Sequence, residues 1–388
     1  MTTEWRVPPP AEPGAFGAFQ YWPEQAEWST QLLRLISYTS LGAAEFSEVE
    51  RVAASLHVGD DAEWYSAFVD LAHRLDERVA MARDRVTAGE TWDRAAIYYR
   101  MAATFRSISG EIDIPSVDDS RRCFRFAREA DERYCFEQVE IPYGVHTIPG
   151  YFLAPRREVI PAPTVIVLGG IDAFAEEMYY KIGAALLARG YNVLLPDGPG
   201  QGESRRRRIP ARADYEVAIS AMVDGLVDRP DVDADRVALI GSSMGGYFAA
   251  RGAAFEHRLR AAVIWGAFYG IDTTGGGNGE SKSRIGQAMA AFAVSTLEEL
   301  VPQVATFNLE GIAGRISVPT LILHGASDVQ VPLAHAHRLF EEISHPDKEL
   351  MVYPAGQPGC THCQLDSPLT AHFDILNWLD DRLPVVTN

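Results

Sequence analysis

The sequence predicts an α/β fold, a mostly parallel sheet with helices on both faces, preceded by a helical N-terminal segment. Three observations carry this prediction. From Thr164 onward, short apolar runs alternate with stretches of helical periodicity, as in a covered parallel sheet. Before that, from Pro23 to Tyr134, apolar residues recur three and four positions apart, as in packed helices. The third is Arg236 to Ala250, RVALIGSSMGGYFAA, which sets Gly241-Ser242-Ser243-Met244-Gly245 between an apolar strand and a small-residue helix. Such a G-x-S-x-G turn thrusts its central residue, Ser243, out at the tip.

In chain order, residues 1–22 are rich in Pro, Gly and aromatic residues and predict an extended arm. Helical periodicity over Glu24 to Leu56, Asp61 to Val86, Thr91 to Ser107 and Val117 to Tyr134 predicts a helical cap domain over 23–135. Asp60 or Asp61 and Thr91 suit its helix starts, Gly89 and Gly110 its stops. Trp64, Tyr65, Trp92, Tyr98, Tyr99 and Phe105 read as core, or else as the lining of a pocket for an aromatic ligand. Phe136 to Pro142 and Thr147 to Leu153 flank Tyr143-Gly144-Val145-His146, which predicts an antiparallel hairpin.

Strands follow at Thr164 to Leu168, Tyr191 to Pro196, Arg236 to Ile240, Ala261 to Trp265, Thr320 to His324 and Glu349 to Tyr353. Helices are predicted at Met178 to Arg189, Tyr215 to Val227 and Pro368 to Leu383. The catalytic domain therefore spans 136–388. A lid-like insertion at about 272–315 joins a glycine-rich TTGGGNGESKS to a helical, Ala- and Met-rich stretch from Ile285 to Phe307.

Composition narrows the function. A net charge of −18 argues against nucleic acid or an anionic membrane surface, since phosphate binding depends on clustered Lys and Arg. No apolar run is long enough to span a membrane, and Met1 to Gly14 has no signal-like apolar centre, so the expected location is cytoplasmic. Cys360 and Cys363 flank His362 in CTHC, but no second Cys/His pair is spaced to complete a zinc site. The reading calls for no metal and no cofactor, takes a small molecule as the partner, and leaves a homodimer open.

A serine hydroxyl keeps its proton at neutral pH, so Ser243 needs a base and an acid that orients the base. After the strand TLILH, Gly325-Ala326-Ser327-Asp328 puts Asp328 in a loop at a strand's carboxyl end, with Asp272 as its rival. His362 is the one histidine between the last strand and the final helix. The oxyanion hole is expected from the N–H of Met244 and one from Gly169-Gly170-Ile171, with Ile171 preferred and Gly170 next. Arg205 to Arg208 read as a solvated basic turn, or as a site for an anionic or phenolate substrate.

The order of hairpin, strands, helices and nucleophile turn is that of the α/β-hydrolase fold. Asp197 to Glu203, DGPGQGE, and Gly169 to Glu177, GGIDAFAEE, narrow this further. With them the chain resembles the 2,6-dihydroxypseudooxynicotine hydrolase family from about Trp92 to the end. That family includes serine hydrolases of carbon–carbon bonds and fungal polyketide-shortening relatives. The resemblance implies Ser243, Asp328 and His362 as a triad, and an acidic helper at Glu176 or Glu177. The chain departs from the family at Ala175, where a basic residue is frequent. Glu176 and Glu177 also suit the charged first turn of a helix.

The expected activity is hydrolysis of a carbon–carbon bond beside a carbonyl, in an aryl diketone or an aromatic or polyketide-like compound. An esterase, thioesterase or acyl-transferring cyclase would use the same parts. A hydrolase fold without activity, kept as a binding module, is the reading of another class.

Overall fold

The computed structural model describes residues 21–156, 161–271 and 282–385, and of 282–284 the backbone alone. The predicted arm therefore lies outside the described residues except for Tyr21 and Trp22. So do Asp272 and most of the glycine-rich stretch after it.

Six helices come first: α1 (Ala26–Ser37), α2 (Phe46–Ser55), α3 (Asp61–Arg78), α4 (Arg85–Ala102), α5 (Thr104–Ile108) and α6 (Pro115–Ala130). Asp60 caps α3 by accepting from the amides of Ala62 and Glu63 at 3.1 and 2.9 Å. The next helix begins earlier than its periodicity suggests. Asp84 is the cap of α4, accepting from Thr87 N at 2.8 Å, while Thr91 lies inside the helix and returns its hydroxyl to Thr87 O. Gly89, expected to end a helix, is also inside α4, facing α6 with room for a Cβ.

Eight strands form one sheet: β1 (Tyr134–Tyr143), β2 (His146–Pro155), β3 (Ala162–Leu168), β4 (Asn192–Pro196), β5 (Val232–Ser242), β6 (Leu259–Trp265), β7 (Thr320–Gly325) and β8 (Lys348–Tyr353). Their spatial order is β1-β2-β4-β3-β5-β6-β7-β8. The predicted hairpin pairs β1 with β2, and β2 also runs antiparallel to β4; all later pairs are parallel. Every residue of β3 is buried. At roughly 1.5–3 kcal/mol for each buried Val, Ile or Leu, these central strands anchor the fold. The chain leaves β3 for β4 on one side and returns to β5 on the other, so the direction of winding reverses between β3 and β5. A crevice opens at such a point, beyond the strands' carboxyl ends.

The connecting helices are α7 (Ala175–Met178), continued by a π turn at Tyr179–Gly183 into α8 (Ala184–Ala188), then α9 (Gly202–Arg206), α10 (Glu216–Val227) and α11 (Met244–Phe255). They are followed by α12 (Lys282–Phe292), α13 (Leu297–Val304), α14 (Leu333–Glu342) and α15 (Pro368–Arg382). The helical stretch expected over Ile285 to Phe307 is thus two helices. Thr296 and Glu299 cap the second reciprocally, which starts a new helix where one was expected to continue.

The aromatic residues of the N-terminal helices form core. Trp28 stacks on Phe105 at 5.2 Å between centroids and meets Trp64 edge-on, and Trp64 Nε1 donates to Met101 O at 2.8 Å. This core continues through Phe124, Tyr179 and Val165 to Trp265 and Trp378, so the helices share one face of the sheet with α15. The opposite face packs Ile166, Leu239, Phe248 and Met222. Among the described residues, no helix is long and apolar enough to cross a membrane.

Candidate active site

The turn after β5 is built by close approach. A Cβ at Gly241 would lie 1.9 Å from Gly245 O, and one at Gly245 only 2.5 Å from the carbonyls of Gly169 and Leu168. Only glycine lets β5, α11 and the end of β3 meet so tightly. Ser243 takes up the bend with φ 58° and ψ −120°, a conformation that costs an L-residue about 1–3 kcal/mol. Its amide is fixed to Trp265 O at 2.8 Å. The half-buried Ser243 side chain opens into a cavity of about 560 Å³.

The same cavity is lined by His362, Cys363, Met244, Gly170 and Ile171. His362 Nδ1 faces Asp328 Oδ2 at 2.6 Å, and the Asp328 carboxylate is wholly buried. Its other oxygen accepts from the amides of Gln330 and Val331 at 2.8 and 2.9 Å, which fixes the carboxylate before the imidazole arrives. Burial opposes ionisation of Asp328, but His362, the Val331 amide and His324 outweigh it and hold its pKa below the usual value. For His362, burial likewise opposes charge, yet Cys363 and Asp328 outweigh it and raise the ring above its ordinary pKa. Cys363 Sγ is 3.6 Å from His362 Nε2, and Cys363 and Gln364 both adopt left-handed backbone, φ 49° and 51°.

Met244 is the first residue of α11, so its N–H has no acceptor within the helix. Gly170 abuts the serine: a Cβ there would lie 3.3 Å from Ser243 Cβ and 3.6 Å from its Oγ. Gly170 O accepts from Ala173 N at 3.2 Å, closing a turn around Ile171 and Asp172.

Sequence reasoning missed what braces this turn. Gln201, within DGPGQGE, donates from Nε2 to Gly169 O at 2.6 Å and Gly170 O at 2.9 Å, and Tyr215 hydroxyl donates to its Oε1. Asp197 ties the same segment to the next helix, accepting from Ala175 N and Glu203 N at 2.8 Å each. Burial first, and Glu176 next, push Asp197 up to about 6.

Glu176 and Glu177 are both buried in the first turn of α7, and neither lines the cavity. Glu176 accepts from Tyr151 hydroxyl at 2.6 Å and pairs with Arg121. Glu177 accepts from Arg34 Nη2 at 2.6 Å, Arg100 Nε at 2.8 Å and Tyr38 hydroxyl at 3.0 Å. Arg34 and Tyr38 do line the cavity, so Glu177 acts on it from one layer behind. Arg34 also pairs with Asp172. No local signal in α1 marked Arg34; its partners are 138 and 143 residues away.

The remaining candidates lie elsewhere. His324 is buried with Nε2 2.9 Å from Val331 O, and His372 Nε2 donates to Lys181 O at 2.5 Å. Arg205 is buried and donates to Ser107 Oγ at 2.7 Å, while Arg206 and Arg207 pair with Asp118 and Glu140; none lines the cavity. Cys360 and Cys363 are free, and among the described residues no group of three His, Cys, Asp or Glu side chains is placed to hold a metal ion.

Residues 55–273 match the family described as esterase FrsA-like, and residues 179–381 match the prolyl oligopeptidase family. A hydrolyase of Penicillium oxalicum is 32% identical over 259 residues, which cover 62% of this chain and 60% of that relative, so the match spans less than two thirds of its length. The 20-hydroxy-prefusarin hydrolase of Gibberella moniliformis is 26% identical over 412 residues, covering 92% and 96%. The crystal structure of 2,6-dihydroxy-pseudo-oxynicotine hydrolase superposes with a TM-score of 0.76 at 26% identity, covering 90% of this chain and 96% of that one.

Proposed function

We propose, for a chain that belongs to the α/β-hydrolase superfamily and within it to the FrsA-like esterases, that it is a serine hydrolase cleaving a carbon–carbon bond beside a carbonyl in a small aromatic or polyketide-like diketone. The observation that carries the serine chemistry is the 2.6 Å His362–Asp328 contact in the wall of the cavity that receives Ser243. Ser243 adds to the carbonyl carbon while His362 takes its proton, and Asp328 holds the ring's tautomer and the charge it gains. The oxyanion rests on the amides of Met244 and Ile171, each worth about 3–4 kcal/mol to the transition state. Protonated His362 then delivers its proton to the departing carbanion, and water releases the acid from Ser243.

The likeness to 2,6-dihydroxy-pseudo-oxynicotine hydrolase over 90% of the chain, helical segment included, favours the carbon–carbon bond over an ester. In this reading the helices of residues 23–135 are a cap domain that excludes water, with Arg34 and Tyr38 reaching the cavity from α1. Glu177 serves the reaction as a positioning residue for Arg34. Four free cysteines are in keeping with a reducing, cytoplasmic setting.

The test is product analysis by mass spectrometry with an aryl 1,3-diketone and, separately, an aryl ester of similar size. Acid plus ketone from the diketone, lost in Ser243→Ala, supports the reading. Turnover of the ester with the diketone untouched would make the protein an acyl hydrolase or acyltransferase. Failure of a fluorophosphonate to label Ser243 would return it to the class of inactive binding modules.

A further inference from the structure

Arg34, Lys181, Asp172 and Glu27 line the cavity, with Arg100 and Glu177 in contact behind Arg34 and Asp172. The arginines take Asp172 and Glu177: Arg34 pairs with both, and Arg100 with Glu177. Among the described residues, no carboxylate lies within ion-pair distance of Lys181 Nζ. That group instead sits 4.6 Å from the centroid of the Trp265 ring.

Its placement links it to the reacting atoms. Trp265 O accepts from Ser243 N at 2.8 Å and lies 3.6 Å from Cys363 Sγ, which is itself 3.6 Å from His362 Nε2. Lys181 lines the cavity with all four residues. It also stands in the π turn at Tyr179–Gly183, a widened helical turn of the kind that recurs at functional sites because it re-aims a side chain. His372 pins the Lys181 carbonyl to α15. Burial presses the Lys181 pKa down, while Cys363, Asp172 and Glu177 act to raise it. A half-buried cation in the cavity, with no carboxylate at ion-pair distance among the described residues, is complementary to negative charge that arrives with the substrate or develops during reaction.

We propose that Lys181 is a further catalytic residue, whose ammonium group receives the second carbonyl oxygen of a 1,3-dicarbonyl substrate and holds the enolate formed there. This rests on the carbon–carbon hydrolase reading and deepens it. Ser243 Oγ forms a bond to one carbonyl carbon. The adjacent carbon–carbon bond breaks, and its electron pair spreads onto the distant carbonyl oxygen as an enolate beside Lys181 Nζ. The proton that His362 took from Ser243 goes to the enolate carbon, giving the ketone, and water cleaves the acyl-serine to the acid. Diketone and water thus become ketone and acid. The interaction strengthens as charge develops, so it lowers the barrier rather than only tightening binding.

The experiment measures turnover of 1-phenylbutane-1,3-dione and of p-nitrophenyl acetate by the full-length protein, as wild type, Lys181→Met and Lys181→Arg. The ratio of diketone to ester kcat is expected to fall by about 100-fold in Lys181→Met, the scale of a lost oxyanion donor, and to recover partly in Lys181→Arg. An equal loss on both substrates would make Lys181 a structural residue and overturn the proposal. Wild type that cleaves the ester alone would remove the carbon–carbon reading and the proposal together, which separates the two failures. Should Lys181→Met not fold, the ratio in Lys181→Arg decides: a displacement from wild type supports the role, and an unchanged ratio overturns it.

Discussion

At the scale of the residue, the proposed base depends on its neighbours. His362 is raised by Cys363 and Asp328 against the effect of burial, so its neutral, proton-accepting form gains population only above the ordinary histidine range. The rate of acylation therefore rises with pH through a pKa higher than that of free histidine. Cys363 contributes to the rise, so Cys363→Ala should move the acid limb of the kcat/KM profile to lower pH; an unmoved limb, or one displaced upward, would show that the thiol does not act on the ring. Gln201 gives a second residue-level prediction. Its two donations hold the carbonyls of Gly169 and Gly170 beside Ser243. Gln201→Leu should lower kcat about 10- to 100-fold with little change in KM, because a displaced oxyanion turn weakens the transition state more than the ground state. A rise in KM alone would assign Gln201 to substrate binding.

At the scale of the element, the same residue type has opposite consequences depending on what it faces. A Cβ at Gly89 would make ordinary contacts, 3.5 Å to Ala130 Cβ and 3.6 Å to Ala127 O, within the interior of α4. Gly89→Ala should therefore stabilise the protein by about 0.5–1 kcal/mol through helix propensity, read as an upward shift of the urea midpoint. Gly245→Ala would drive a Cβ to 2.5 Å from two backbone carbonyls and should abolish turnover. Gly89 also shows why the sequence pattern predicts a later start for α4 than the one observed. A glycine at an apolar helix contact looks locally like a stop, and only the packing of α6 distinguishes the two.

The sheet was legible because mostly apolar, fully buried strands such as β3 have one stable environment, and the loops at their carboxyl ends followed from the winding. That put Ser243, Asp328 and His362 within reach of one another on paper, and the structure brings Asp328 onto His362 and opens Ser243 and His362 to one cavity. Arg34, Gln201 and Lys181 were not legible in the same way. Their roles come from long-range pairing, from a loop that otherwise reads as a family signature, and from a π turn that helical periodicity does not register.

At the scale of the whole molecule, buried charge joins the helical segment to the sheet. Arg34 and Arg100 from the helices hold Asp172 and Glu177 at the carboxyl end of β3, and Arg121 holds Glu176 and Asp197. One aromatic core runs beneath these pairs from Trp64 to Trp265. Two regions coupled in this way should unfold together, although they read as separate domains in the sequence. Arg34→Met leaves Asp172 without its ion-pair partner and Glu177 with one fewer, and a broken buried pair costs about 3–5 kcal/mol. The pH dependence follows from Asp172, whose carboxyl burial would raise but Arg34 and Arg100 hold well below its usual range. A depressed folded pKa contributes stability above the unfolded value and loses it as the pH falls through that value toward the folded one. The deficit of Arg34→Met should thus be largest near neutrality and shrink below about pH 4. Urea unfolding followed by both tryptophan fluorescence and circular dichroism checks this: the transition should move as a whole, with coincident probes. A separate early transition in the variant would mean that the helices and the sheet are independently stable, and that the ion pairs serve the cavity and not the coupling of the fold.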